Sequence, residues 1–127
     1  MNSLLVGAGA FGFFTSAMHI FSGQITLIRP FLKTDLANEI KGCLLVCWHM
    51  VSAFLLVTSC LFLIAGLQQP TALHMLVQAM AGSYILFAAM FIAVGWFFFG
   101  YQVLYKLPQW ILLLPVGVLG LLGAAAL

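Results

Sequence analysis

Two histidines, His19 and His49, stand inside long apolar stretches of the chain. An imidazole titrates near neutral pH, ligates metals and can donate or accept hydrogen bonds. Burying one in apolar surroundings is costly unless something answers its polarity. Between the two lies the one strongly charged segment: five of the six charged residues fall between Arg29 and Lys41, and the sixth is Lys106. That segment serves as a ruler. His19 precedes Arg29 by ten residues and His49 follows Lys41 by eight. At a rise of 1.5 Å per residue, the two sit ~15 Å and ~12 Å along their helices from the same charged segment.

Two imidazoles at one level suit three chemistries. They can ligate a haem iron axially, bind a transition metal such as copper or zinc, or relay protons and hold a polar ligand. Helical spacing puts Thr15, Ser16, Ser22 and Gly23 near the face of His19, and Val46, Ser52 and Ala53 near that of His49. Trp48 is expected to point ~100° away from His49. In the later helices the matching depth falls near Met90 and at 115–117. Taken singly, each histidine also reads as a core residue bonded to a serine or a carbonyl across helices.

The elements that must position these residues follow from composition. The 127 residues are 65% hydrophobic and 5% charged, with a mean hydropathy of +1.24. Soluble domains carry about 25% charged residues, so the expected solvent is lipid. Four apolar stretches, 4–28, 42–67, 72–99 and 108–127, each reach the ~20 residues needed to cross a ~30 Å hydrocarbon core. In lipid the backbone must satisfy itself, so each is expected to be a helix. The fold class is therefore all-α: one integral membrane domain over 1–127, an antiparallel up-down four-helix bundle. The first stretch is expected to be a retained span, because no basic region precedes it.

Boundary signals divide the spans. Arg29-Pro30 is expected to end the first helix, Thr34 or Asp35 to cap the second, and Gly66 to close it. Pro108 is expected to open the fourth helix and Pro115 to kink it. Arg29, Lys33 and Lys41 lie in the first loop and Lys106 in the third. The positive-inside rule then places both loops in the cytoplasm and both termini outside, in a bacterial inner membrane. Trp96, Tyr101, Tyr105 and Trp110 flank Lys106 as an interfacial aromatic belt would. Gly7, Gly9 and Gly12 in the first span, and Gly117, Gly120 and Gly123 in the fourth, allow close helix contact, within one bundle or between copies.

The same inventory sets limits. A net charge of +2 with no basic stripe argues against nucleic acid. Cys43, Cys47 and Cys60 share one apolar segment, lack zinc spacing and read as small reduced hydrophobes. No span contains a carboxylate, and Asp35 is expected at the surface, so no Ser-His-Asp set forms and an enzyme is disfavoured. Arg29, Asp35, Glu39 and Lys41 read as the cytoplasmic mouth of a site or as an anchor to anionic lipid.

The run His19-Ile20-Phe21-Ser22-Gly23, then Arg29-Pro30, then Trp48-His49, resembles a group of small, uncharacterised bacterial four-span membrane proteins. The resemblance covers about the first half of the chain. It implies the fold and a candidate site around the first-span histidine, not a reaction. Where those proteins often carry an acidic residue just after the glycine, this chain has Gln24.

Three functions follow as expectations. The first is a ligand or proton-relay site lined by His19, His49, Ser16 and Ser52, as in a small transporter. The second is a haem or metal protein for electron transfer, with His19 and His49 as ligands. The third is a non-catalytic subunit of a homo-oligomer or larger membrane complex, embedded in lipid.

Overall fold

The computed structural model describes residues 1–127 and is all-helical. Helix α1 runs Ser3–Leu32, α2 Asn38–Gln68, α3 Thr71–Lys106 and α4 Gln109–Ala124. The first three are long and apolar enough to cross a membrane by length and composition. The fourth has 16 residues and is shorter than its apolar stretch.

Several boundaries differ from those the sequence predicts. Arg29-Pro30 does not end α1, which continues to Leu32. Pro30 has no N–H, and its ring would meet the carbonyl of Thr26 in a regular α-turn. The helix is π-wound over Met18–Ser22 and Gln24–Ile28, with the Arg29 N–H bonded back to the Gln24 carbonyl. These wider turns bring the chain to Pro30 out of the regular α-ladder. Neither Thr34 nor Asp35 caps α2. The Thr34 hydroxyl donates to the Phe31 carbonyl at 2.7 Å, finishing α1 instead, and α2 begins at Asn38 after Ala37, without a side-chain cap. Nor does Gly66 end α2, which stops two residues later where Gln69 takes a left-handed conformation (φ 50°).

Gly66 has another use. A Cβ there would lie 2.7 Å from the Val6 amide nitrogen, so α1 and α2 touch backbone to backbone. Gly9 and Gly12 extend that seam against Leu63 and Ser59. On α4, Gly117 and Gly120 meet Ala81 of α3, and Gly123 meets Leu5 of α1. These small residues close contacts within the chain, as dispersion packing between apolar helices requires.

The helices therefore stand in the spatial order α2, α1, α4, α3, with α2 and α3 meeting only over a short stretch. Fully buried Leu5, Phe62, Val77, Tyr84 and Val116 fill the half of the bundle nearest the two ends of the chain. There the Tyr84 hydroxyl lies 2.7 Å from that of Thr58, joining α3 to α2. Asn2 ties the same half together. It caps α1 by accepting from the Leu5 amide, its side chain donates to the Gly123 carbonyl at 2.8 Å, and its own amide donates to the Gly66 carbonyl at 2.7 Å.

At the opposite end α3 is sharply interrupted. Gly100 has φ 54° and ψ −140°, a conformation open only to glycine. The chain folds back there, and Val103 and Leu107 pack onto Gly95, where a Cβ would collide with Val103. Trp110 donates to the Leu104 carbonyl at 3.2 Å and Lys106 lies over the Phe99 ring at 5.2 Å. Trp96, Phe97, Tyr101 and Tyr105 stay exposed around this turn.

Candidate functional site

The charged-loop half of the bundle encloses a cavity of about 1060 Å³ to which all four helices contribute. Its roof is the aromatic seam just beyond Leu55 and Leu113. Phe54 of α2 packs on Phe87 and Tyr84 of α3, with ring centroids 5.3 and 5.7 Å apart. Below the roof α2 and α3 separate. Val51 and Leu44 on one wall, and Met90 and Val94 on the other, line the cavity yet remain 39–55% exposed. The cavity is thus open to the outside of the bundle between α2 and α3.

His19 lies in the first π-wound turn of α1 and faces the cavity. Its ring stacks on Trp48 of α2, centroids 3.9 Å apart and planes 20° from parallel. Gly23, one turn further along α1, completes the seat, since a Cβ there would collide with the Trp48 ring. An imidazole face and a missing side chain four residues later make a slot the width of an indole.

His49 does not share this site. Trp48 occupies the position facing α1, so the next residue turns ~100° away, and His49 is exposed and does not line the cavity. The depth ruler does bring α2 to the level of His19, but the side chain that meets it is the indole. The expected haem or metal pair is therefore not assembled, and no cluster of three or more metal-ligating side chains occurs elsewhere.

The other expected site residues are placed as follows. Ser16 is buried and donates to the Gly12 carbonyl at 2.8 Å; Ser52 donates to that of Trp48 at 3.0 Å. Both hydroxyls are satisfied within their own helices, and neither lines the cavity. Thr15 and Ser22 do line it. Arg29, Asp35 and Glu39 are exposed and Lys41 partly so, and none lines the wall. On α4 the wall is Gln109 and Ile111–Leu113 rather than 115–117, because Gly117 is engaged against Ile85 and Ala81 higher in the bundle.

Gln109 is a cavity residue that sequence reasoning missed. Its Oε1 is buried without a hydrogen-bond partner, and the only other such side-chain atom is His19 Nε2. Both residues line the one cavity. They are also level with each other. Thr15 donates to the Leu112 carbonyl at 3.2 Å, fixing α1 against α4. From that bond, four residues along α1 reach His19 and three back along α4 reach Gln109, ~6 and ~4.5 Å of helix respectively. The composition of the fourth stretch hides this, because Gln109 reads as a polar residue at a helix start.

The fold and site thus define an all-helical bundle with a side-opening apolar cavity that His19 and Gln109 help to line. Comparison with protein-family models, curated proteins and solved structures gives no match.

Proposed function

We propose that the protein is a multi-pass inner-membrane protein of a bacterium that binds a small, largely apolar ligand in the cavity beside His19. The observation that carries this is the cavity itself, about 1060 Å³, lined by side chains of all four helices that are mostly apolar and open between α2 and α3. A large apolar concavity with a few polar residues, here His19 and Gln109, on its wall is what a small-molecule site looks like.

The membrane setting is supported by three helices of spanning length and by large apolar side chains all over the exterior, such as Phe97 at 83% and Phe21 at 72% exposed. The basic residues of the first and third loops favour a cytoplasmic charged end, with both termini outside. In that frame the cavity lies in the cytoplasmic half and opens sideways, toward lipid. The opposite half is closed by Tyr84 and Phe62, so the arrangement favours uptake and holding of a ligand from one side.

The test is native mass spectrometry of detergent-purified protein. One small apolar molecule per chain is expected, either retained from the membrane or taken up on titration. Met90→Trp, which places an indole at the opening between α2 and α3, is expected to weaken binding. A chain that neither retains nor takes up such a molecule would sink the proposal.

A further inference from the structure

We infer that the fold-back at the charged end of α3, residues 100–108, is a gate over the cavity, latched by Val103 and Leu107 at Gly95 and hinged at Gly100. The cavity then has two doors, one to lipid between α2 and α3 and one to water at the charged end. This rests on the membrane placement and ligand binding proposed above and adds how the same cavity is opened.

What closes the charged end is a connection rather than a helix contact. At that end the cavity is lined by Phe31, near the end of α1, and by Leu107 and Pro108 of the fold-back. The opposite end is closed by helix packing around the fully buried Tyr84 and Phe62. Connecting segments open locally at lower cost than packed helices do.

The fastening of this segment is narrow. Val103 is its one fully buried side chain, while Tyr101, Leu104, Tyr105 and Lys106 are exposed. Val103 fills a notch at Gly95, where a Cβ would collide with it and would lie 2.9 Å from Leu107 Cδ1. Leu107 is thus part of the latch and part of the cavity floor, so release at Gly95 uncovers the cavity. Two lighter ties remain, both at the surface. They are the Trp110 indole on the Leu104 carbonyl and Lys106 over the Phe99 ring.

Each end of the segment carries a non-helical residue that can absorb a rotation. At Gly100 (φ 54°, ψ −140°) a Cβ would meet nothing within 4 Å, so the glycine serves the backbone and not packing. At the other end Leu107 has φ −124° and ψ 71°. Lids turn on a few such positions at element ends.

The test reads water access to Cys47, which lines the cavity ~9 Å along α2 from Lys41. Cys43→Ser and Cys60→Ser leave it as the sole thiol. The chain is reconstituted in liposomes with a sulfonated maleimide, too polar to cross lipid, on both faces, and labelling is followed by peptide mass spectrometry. A chain with Cys47→Ser and Val46→Cys as well gives the background at the same depth, because Val46 is exposed and does not line the cavity. Cys47 is expected to label faster than this control. Val103→Ala, which thins the latch by two methyl groups, is expected to raise the Cys47 rate about tenfold. Gly95→Cys with Val103→Cys brings two Cβ atoms to 3.3 Å, near the span of a disulfide. Oxidising that pair is expected to lower the Cys47 rate to the control, and reducing it to restore the rate. A Cys47 rate that the disulfide leaves unchanged overturns the gate. So does a rate equal to the control in every variant, with helix content intact by circular dichroism. The ligand reading is judged separately, by native mass spectrometry with N-phenyl-1-naphthylamine. The oxidised chain is expected to take this probe up through the gap between α2 and α3. Uptake by neither the oxidised nor the reduced chain overturns the ligand-binding proposal, while the labelling rates alone decide the gate.

Discussion

The two halves of this bundle are made from the same apolar residues and do opposite things with them. In the half near the chain ends, glycines at Gly9, Gly12, Gly66, Gly120 and Gly123 bring backbones together, and the polar groups Asn2, Thr58 and Tyr84 are all bonded. In the half near the charged loop, α1 has π-wound turns, α2 and α3 separate around the cavity, and the buried His19 Nε2 and Gln109 Oε1 have no hydrogen-bond partner. The contrast teaches that satisfied polarity marks the scaffold and unsatisfied polarity marks the site. Leaving two groups unmade in one place is tolerable because the other half is packed without them.

The comparison can be broken most sharply at the glycine seam. Gly66→Leu would drive a side chain into the Val6 backbone, and a loss of about 3 kcal/mol or outright misfolding is expected, measured by denaturant titration in mixed micelles. Next in size is Asn2→Ala, which removes a helix cap and the link to Gly123 together. It is expected to cost ~1–2 kcal/mol in the same titration. Tyr84→Phe deletes one buried interhelical bond, but Thr58 keeps its backbone partners, so ~1 kcal/mol is expected. Smallest is Gln109→Leu. Removing an unpartnered buried oxygen is expected to leave stability unchanged or raise it by up to about 1 kcal/mol. If Gln109→Leu destabilised as much as Asn2→Ala, the two halves would not differ in the way described.

The sequence read the positions of the helical stretches well, because long apolar runs broken by charge or by Gln68-Gln69-Pro70 leave few alternatives. It could not read their facing. In helices apolar all round, no polar stripe says which side turns inward. The choice between Trp48 and His49 shows this. Both are one step from the right depth, and polarity favoured the histidine, yet the slot made by His19 and Gly23 fits the indole. The spacing of His19 and Gly23 was visible; that it forms a slot depends on how closely α2 approaches. Gln109 was hidden for a related reason, since its role comes from the register of α4 on α1, set by Thr15 and Leu112. The end of α1 was misplaced because Pro30 is a helix breaker only where the turns before it are regular.

The Asn2 clamp carries a consequence for the order of events in synthesis. Its side chain holds the carbonyl of Gly123, 121 positions later. Asn2 can complete its bonding only after Gly123 has left the ribosome and α4 has been placed. Until then α1 and α2 can form their own glycine seam, but the cap of α1 stays one bond short and the Leu5 surface that Gly123 covers stays open. Final locking of the bundle thus waits for its last helix, and a chain stalled before residue 123 would present an unfinished first helix to whatever surveys the membrane for incomplete proteins.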